Sequence, residues 1–244
     1  MSAGALLWRQ FRFERRMFWR NPSAAFFNFA LPLIFLFLIA SVFGHDRDDL
    51  EVLVPGIAGM AVMTTTFTAL AFNITFLREQ GILKRVRGTP MPPGAYFGGL
   101  LANAVVNAVV QVALVVAVGH LVYDLGWPRD WPALVVFTLV GVVAFGSLGI
   151  ALAHAIPNFD SAAAYVNAVF LPLIFISGTF YSTDGMPRAL EVAAEALPLK
   201  HVIDGLRGAI VTGAGIADHA GALAALGAWA AGGIVLAVRY FRWE

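Results

Sequence analysis

The sequence predicts an all-α integral membrane protein, and its composition, hydropathy and segment lengths all point to that class. Hydrophobic residues make up 59% of the 244 residues and charged residues only 13%, whereas charged residues are about a quarter of an ordinary soluble domain. Mean hydropathy is +0.78. Crossing about 30 Å of hydrocarbon takes about 20 helical residues. Six apolar segments meet that requirement, and we expect six transmembrane helices at 24–44, 52–77, 94–121, 133–156, 161–181 and 220–238.

Residues 5–20, before the first span, have the pattern of an amphipathic helix. One side of the helical wheel is basic and consists of Arg9, Arg12, Arg16 and Arg20. Leu7, Phe11 and Phe18 fall on the opposite side. A helix with these two faces lies in the interface of a bilayer. The arginines extend too far along the chain for a secretory signal, so we expect a retained interfacial helix.

Lys and Arg residues are unequally divided between the two sets of span ends, and the richer side of a membrane protein is cytoplasmic. The richer set is Arg9, Arg12, Arg15, Arg16, Arg20, Arg78, Lys84, Arg85, Arg87, Arg239 and Arg242. The opposite set is Arg47, Arg129, Arg188, Lys200 and Arg207. We therefore expect both termini and the loop 78–93 to face the cytoplasm.

The segment 182–213, before the last span, contains more than a loop. Its pieces 186–197 and 201–211 have helical spacing of apolar residues but are too short to span, and Pro198 divides them. Backbone that enters a membrane has to be covered by protein or face a wet cavity. We expect a short re-entrant helical hairpin on the external side.

The sequence lacks the motifs that support hydrolysis or metal catalysis. It has no glycine-rich loop followed by Lys and Ser or Thr, no HExxH, no GxSxG and no cysteine. No Asp, Glu, Lys or Arg lies near the centre of a predicted span, where ion-coupled carriers place an ionisable group. We expect no catalytic residue and no metal site, and we expect the energy for transport to come from another protein.

Two groups of polar residues leave alternatives open. Asp46, Asp48, Asp49 and Glu51 could chelate a divalent cation as part of a lipid head-group enzyme, although a solvated external turn is the favoured interpretation. Within the spans, Asn103, Asn107 and Gln111 form one stripe with a spacing of four. Such amides bond to neighbouring helices, which is the favoured interpretation, or line a substrate route.

Four stretches resemble the ABC-2 type family of ATP-binding-cassette exporter permeases. They are the basic amphipathic helix, REQGILKRVRGTPMPP at 78–93, FISGTFYSTDGMP at 175–187 and LPLKHVIDGLRGAIVTG at 197–213. The resemblance covers essentially the whole chain as one transmembrane domain. It implies a half-transporter that pairs with a second copy or a close relative and with two cytoplasmic ATPase subunits. ATP and Mg would bind those subunits, and this chain would carry no cofactor.

The resemblance also implies roles for particular residues. The cytoplasmic loop after the second span of such permeases forms a coupling helix that docks on the ATPase beside the N-terminal helix. Docking therefore falls to Arg78, Glu79, Gln80, Gly81, Lys84, Arg85 and Arg87, together with Arg9, Arg12 and Arg16. We expect a short helix over 79–86, because Gly88, Pro90, Pro92 and Pro93 bar its continuation. The candidate translocation path comprises Thr68, Phe72, Asn73, Asn103, Asn107, Asn167 and Phe170.

The function that follows is export of a hydrophobic or amphipathic compound, drug-like or lipid-like, across a bacterial plasma membrane. The chain would be a transporter subunit without its own ATPase site. Export of a lipid-linked polysaccharide is an alternative within the family. From other classes, the head-group enzyme with Asp46, Asp48 and Asp49 and a non-transporting membrane anchor stay open.

Overall fold

A computed structural model describes residues 2–44, 46–183 and 186–240, and every long regular element in these ranges is a helix. Arg242, counted above among the basic flanks, and residues 184–185 of the predicted hairpin segment lie outside the described residues. Six helices in the described part are long and apolar enough to cross a membrane. This confirms the prediction of an all-α, multi-pass integral membrane protein.

The helices in chain order are α1 (Ala3–Arg20), α2 (Pro22–Phe43), α3 (Arg47–Met63), α4 (Ala69–Glu79), α5 (Ile82–Arg87), α6 (Pro93–Tyr123), α7 (Trp131–Ala155), α8 (Phe159–Ile176), α9 (Arg188–Ala196), α10 (Pro198–Arg207) and α11 (Ala220–Tyr240). A π-helical turn, Thr64–Thr68, joins α3 to α4. The six candidate spans are α2, the continuous α3–α4 helix, α6, α7, α8 and α11.

Two spans differ from their predicted limits for local reasons. The second begins at Arg47 rather than at 52, because Asp46 occupies its N-cap and Asp48 and Asp49 lie in its first turn. Carboxylates there stabilise the positive end of the helix dipole. The fifth ends at Ile176 rather than at 181, because the chain turns at Gly178, whose φ is 75°.

The α3–α4 helix is the centre of the bundle. Of its most apolar stretch, 78% is buried, against 17% for α2, α8 and α11. It contacts α2, α6, α7 and α10. The side chains of Thr65, Thr66 and Thr75 are buried, and their hydroxyls donate to carbonyl oxygens one turn earlier at 2.7, 2.6 and 2.8 Å. These polar groups are therefore satisfied within their own helix and can be packed in an apolar core.

Two short helices, α9 and α10, lie in the segment where the hairpin is predicted. Pro198 is the first residue of α10, a position that suits its fixed φ and missing N–H. α10 packs on α3, α7 and α11, and its buried residues include Leu199, Val202 and Leu206. Of α9 only Ala194 is buried. Entry of this hairpin into the bilayer stays a prediction.

α10 lies close to α7 because Gly205 has no side chain. A Cβ at position 205 would lie 2.1 Å from Cδ1 of Phe137, whose ring is fully buried. The nearest atoms of a buried phenyl ring cannot give way without disturbing the packing around it. Gly205 is therefore what allows α10 to pack on α7.

We expect Gly205→Ala to destabilise the protein by about 1–3 kcal/mol, the usual cost of overpacking a core. Gly227→Ala in α11 is the control, because nothing lies within 4 Å of the added methyl group. The measurement is the midpoint of thermal unfolding in detergent. Equal midpoints for the two variants would contradict the packing described here.

Candidate functional site

The segment between α4 and α6 forms a short basic helix at one end of the bundle. The chain turns at Gly81, whose φ of 66° ends α4 at Glu79, so the expected helix over 79–86 is wrong at its start and α5 begins at Ile82. Leu83 is fully buried in a small core formed by residues of α4, α6 and α7. Lys84, Arg85 and Arg87 are exposed. α5 thus has an anchored apolar side and a basic outer side.

The last two residues of α4 bind the ends of two other helices. Arg78 donates from Nη1 to the carbonyl oxygen of Ala153 at 2.8 Å and from Nη2 to that of Ile156, at the C-terminus of α7. Oε2 of Glu79 accepts from the backbone N–H of Phe159, the first residue of α8, at 2.7 Å. Helix ends carry unpaired carbonyls and N–H groups with partial charges of opposite sign. Each charged side chain therefore meets the helix end that complements it.

Aromatic contacts reinforce this junction. The ring of Phe159 lies 6.2 Å from Phe72 and 5.5 Å from Phe76, both in edge-to-face arrangements. We call Phe76, Arg78, Glu79 and their partners Ala153, Ile156 and Phe159 the α4 latch. The latch ties the helix that precedes α5 to the connection between α7 and α8. Of the predicted docking residues, Arg78 consequently points inward, while Glu79 and Gln80 are exposed.

α1 packs along the first turns of α6. The side chain of Leu7 lies against Gly98, and the side chain of Gln10 and the backbone nitrogen of Phe11 lie at Gly99. The predicted basic positions Arg9, Arg12 and Arg16 are on the exposed side. The amphipathic pattern thus places its apolar side on α6 and its arginines outward.

Arg15 makes polar contacts with α6 that the sequence did not predict. Its Nη1 donates to Oδ1 of Asn103 at 3.3 Å and to Oδ1 of Asn107 at 2.5 Å. Its guanidinium also lies over the rings of Phe18 and Trp19, at 5.5 and 5.7 Å. The signal was available, because position 15 follows Phe11 by four residues and precedes Phe18 by three, and so shares their covered side of the helix.

The predicted path residues fall on separate surfaces. Asn73, Asn103 and Asn107 line a cavity of about 380 Å³ between α1, α2, α6 and the α3–α4 helix. Phe170 lines a second cavity of about 910 Å³ between α2, α3 and α8. Asn167 is exposed at the middle of α8, and Thr68 and Phe72 are half-buried. The seven residues are not brought together within one copy of the chain.

The larger cavity is mainly apolar, with charged groups among its lining residues. Its apolar lining comes from Phe35, Ile39, Phe43, Val52, Leu53, Met60, Phe170, Leu171, Ile174, Phe175 and Phe180. Asp48, Asp49, Glu51 and Arg207 also line it. Apolar walls with a few charged groups suit an amphipathic molecule. Sequence reasoning could not find the α2 residues, because Phe and Ile on a lipid-facing surface have the same pattern.

The acidic residues after the first span belong to a helix start. The backbone N–H of Asp46 donates to Oδ2 of Asp49 at 3.5 Å, and Arg47 pairs with Glu51 at 3.3 Å. Among the described residues, no group of three or more His, Asp and Glu side chains is arranged to hold a metal ion. The arrangement therefore supports helix capping as the role of these residues.

Comparison with known proteins agrees with this architecture. The family model described as ABC-2 type transporter matches residues 2–211. Nodulation protein J of Rhizobium leguminosarum bv. viciae is 27% identical over 216 residues, which is 85% of this chain and 83% of that protein. The daunorubicin resistance ABC transporter permease protein DrrB1 of Streptomyces coeruleorubidus is 28% identical over 186 residues, 70% of this chain and 62% of that protein.

A third relative is the linearmycin resistance permease protein LnrN of Bacillus subtilis (strain 168). It is 23% identical over 188 residues, 77% of this chain and 48% of that protein. The family match spans most of the chain and agrees with the six apolar helices and the amphipathic first helix. The chain therefore belongs to the ABC-2 type transporter family.

Proposed function

We propose that this chain is the permease subunit of an exporter that moves a drug-like or lipid-like amphipathic compound out of a bacterial cell, across the plasma membrane. ABC-2 permeases are membrane components of ABC transporters and work with ATP-binding subunits. Two relatives are named as resistance permeases, and all those compared are bacterial. A cavity of about 910 Å³ suits a drug-sized molecule better than a polysaccharide chain.

The α4 latch is the observation that carries the proposal, because it gives the docking surface a mechanical connection to the spans. Docking is assigned to the exposed side of α5 and the neighbouring turn, together with the exposed Arg9, Arg12 and Arg16 of α1. A displacement of α5 by two closing ATPase subunits, which hold ATP and Mg, moves α4. Arg78 and Glu79 pass that displacement to the ends of α7 and α8. The spans then move as rigid bodies, which is how packed helices change state.

The path itself is completed by a second copy or a close relative. α2, α8 and α11 are only 17% buried in their most apolar stretches, and Asn167 is exposed at the middle of α8. An amide placed in hydrocarbon without a partner costs about 1–3 kcal/mol or more. A water-filled path between two copies removes that cost, because the amide then forms hydrogen bonds with water. Thr68 and Phe72 belong to the helix that α8 packs on, so they are assigned to the same path.

We expect reversal of charge on α5, Arg85→Glu with Arg87→Glu, to abolish recruitment of the ATP-binding subunit without unfolding the permease. Both side chains are exposed, so the change acts on the docking surface. Co-purification and ATPase turnover measure the effect. Arg188→Glu, an exposed arginine on α9, is the control and should behave as the unmodified chain does. A doubly reversed variant that still recruits and stimulates the ATPase would refute docking through α5.

We expect the double change Arg78→Gln and Glu79→Gln to reduce transport per ATP hydrolysed by about tenfold, because hydrogen bonds to charged groups contribute about 1.5–3 kcal/mol each. Binding of the ATPase should persist, since α5 is unchanged. Arg78→Lys should be intermediate, because Lys keeps the charge but loses the two-pronged guanidinium. Arg188→Gln is the control, because this exposed arginine of α9 lies outside both the latch and the proposed docking surface. Normal coupling in the double variant would rule out the latch as the connection.

We expect a cysteine at position 167 to react with a charged, water-soluble thiol reagent in vesicles that contain the complete transporter. The chain has no cysteine, so Asn167→Cys introduces one reporter. Ala231→Cys, exposed near the middle of α11, is the control and should react slowly, because lipid covers that surface. Equal reactivity at the two positions would contradict a path along α8.

A further inference from the structure

A groove of about 440 Å³ lies on the side of the bundle, between α6, α7 and α11. One wall is the first turns of α6, which include Phe97, and the other is the last turns of α11. The floor is α7. On the α11 wall, Ile234 is 47% exposed and Val238 is 78% exposed. The groove is therefore open along a surface that spans form.

The lining of this groove is apolar. Ser147 on the floor carries the only polar side chain among the described residues that line it. Its Oγ donates to the carbonyl oxygen of Ala144 at 2.8 Å and lies 3.3 Å from that of Ala230. A hydroxyl has a single proton, which is used here within the protein. The groove therefore suits a hydrocarbon chain.

The length of the groove matches one leaflet of a bilayer. Its lining on α6 runs from Pro93 to Leu101, about 12 Å along a helix that rises 1.5 Å per residue. Pro93 is the first residue of α6, and Val238 lies in the last turn of α11, so the groove begins at the membrane surface. One leaflet contains about 15 Å of hydrocarbon. The groove thus has the extent of one acyl chain.

Basic side chains surround the mouth of the groove. Arg239 directly follows the lining residue Val238 and is exposed. The first turns of α1 are close by, because Leu7 packs against the lining residue Gly98, and they expose Arg9. The basic outer side of α5 directly precedes α6 in the chain. Lys and Arg side chains at a membrane surface attract anionic lipid head groups.

The start of α6 adds a second source of positive charge at the mouth. Pro92 occupies the N-cap and has no side-chain oxygen that could accept from the first N–H groups of this 31-residue helix. Gly94 lines the groove, and a Cβ there would meet nothing within 4 Å. A helix N-terminus carries a partial positive charge and unpaired N–H groups, which together favour a phosphate. An anionic head group is therefore complementary to the mouth.

We propose that this groove binds one acyl chain of an anionic phospholipid, whose phosphate lies between Arg239 and the start of α6. The lipid comes from the leaflet on the basic side of the membrane. It is a bound component of the permease and not its cargo, because none of the lining residues lines either of the two cavities described above. The inference stands on the groove and its basic mouth, independently of the proposed export function.

The test uses the full chain in nanodiscs of phosphatidylcholine and two photoreactive lipids with identical acyl chains. One is a phosphatidylglycerol and the other a phosphatidylcholine, each with a diazirine midway along one acyl chain. Labelled peptides are identified by mass spectrometry. We expect the phosphatidylglycerol alone to label the groove segments of α6, α7 and α11 saturably. Equal labelling by the phosphatidylcholine, or labelling that does not saturate, would overturn the proposal.

A groove-filling variant makes the test specific to this site. Gly94→Phe places a ring in open space within the groove, so we expect labelling to fall at least tenfold while the midpoint of thermal unfolding is kept. Gly227→Phe is the matched control, because Gly227 is an exposed glycine of α11 outside the groove, also with nothing within 4 Å. Undiminished labelling of Gly94→Phe would refute the site.

A charge variant tests the mouth of the groove. Arg239→Gln should weaken phosphatidylglycerol labelling about fivefold, the effect of one cation near a membrane surface. Arg188→Gln, at an exposed arginine of α9, is the control. Equal labelling of these two variants would contradict the basic mouth.

The alternative occupant of the groove is a second copy of the chain. Val238→Cys introduces a single cysteine on the exposed α11 wall, and we expect no disulfide between copies in membranes that contain the complete transporter. Rapid formation of that disulfide would place a second copy over the groove and overturn the proposal. ATPase recruitment and export are measured separately, so failure of lipid binding would leave the proposed function as it stands.

Discussion

The basic end of the bundle depends on two interactions: Arg78 donates hydrogen bonds to the C-terminus of α7, and Glu79 accepts one from the N-terminus of α8. A helix end leaves backbone groups without partners in the helix, and these have to be satisfied by other groups. Adjacent residues of opposite charge satisfy a C-terminus and an N-terminus at once. The same contact joins the exposed α5 to three spans. In the proposed function, stability and mechanical coupling rest on the same side chains.

The need to pair polar groups also organises the interior. Threonine hydroxyls in the buried α3–α4 helix bond within that helix, and Gln111 bonds to α2. Among the described residues, a few buried polar atoms have no hydrogen-bond partner, and they include Nδ2 of Asn28, Oε1 of Gln111 and Oγ1 of Thr68. Most buried polar groups of a folded protein are paired.

The two cavities give the chain an amphipathic interior surface. One has mostly amide walls at the level where α2 begins, and the other has aromatic and aliphatic walls between α2, α3 and α8. Both border the α3–α4 helix, whose C-terminal end carries the α4 latch. A change in the position of that helix alters both cavities together. In the proposed export function, the α3–α4 helix connects the two cavities to the surface on which the ATPase acts.

Hydrophobic length and helical periodicity are local properties, so the class, the number of spans and the amphipathic first helix could be predicted from the sequence. The start that Asp46 gives the second span and the end that Gly178 gives the fifth span are local as well and could have been predicted. The roles of Arg78 and Arg15 depend on the folded bundle, since their partners lie 75 and 88 positions away. The sequence placed Arg78 among exposed docking residues because a flank arginine has the same pattern whether it faces solvent or caps a distant helix. Which amides pair and which remain open also depends on contacts between helices that no local pattern encodes.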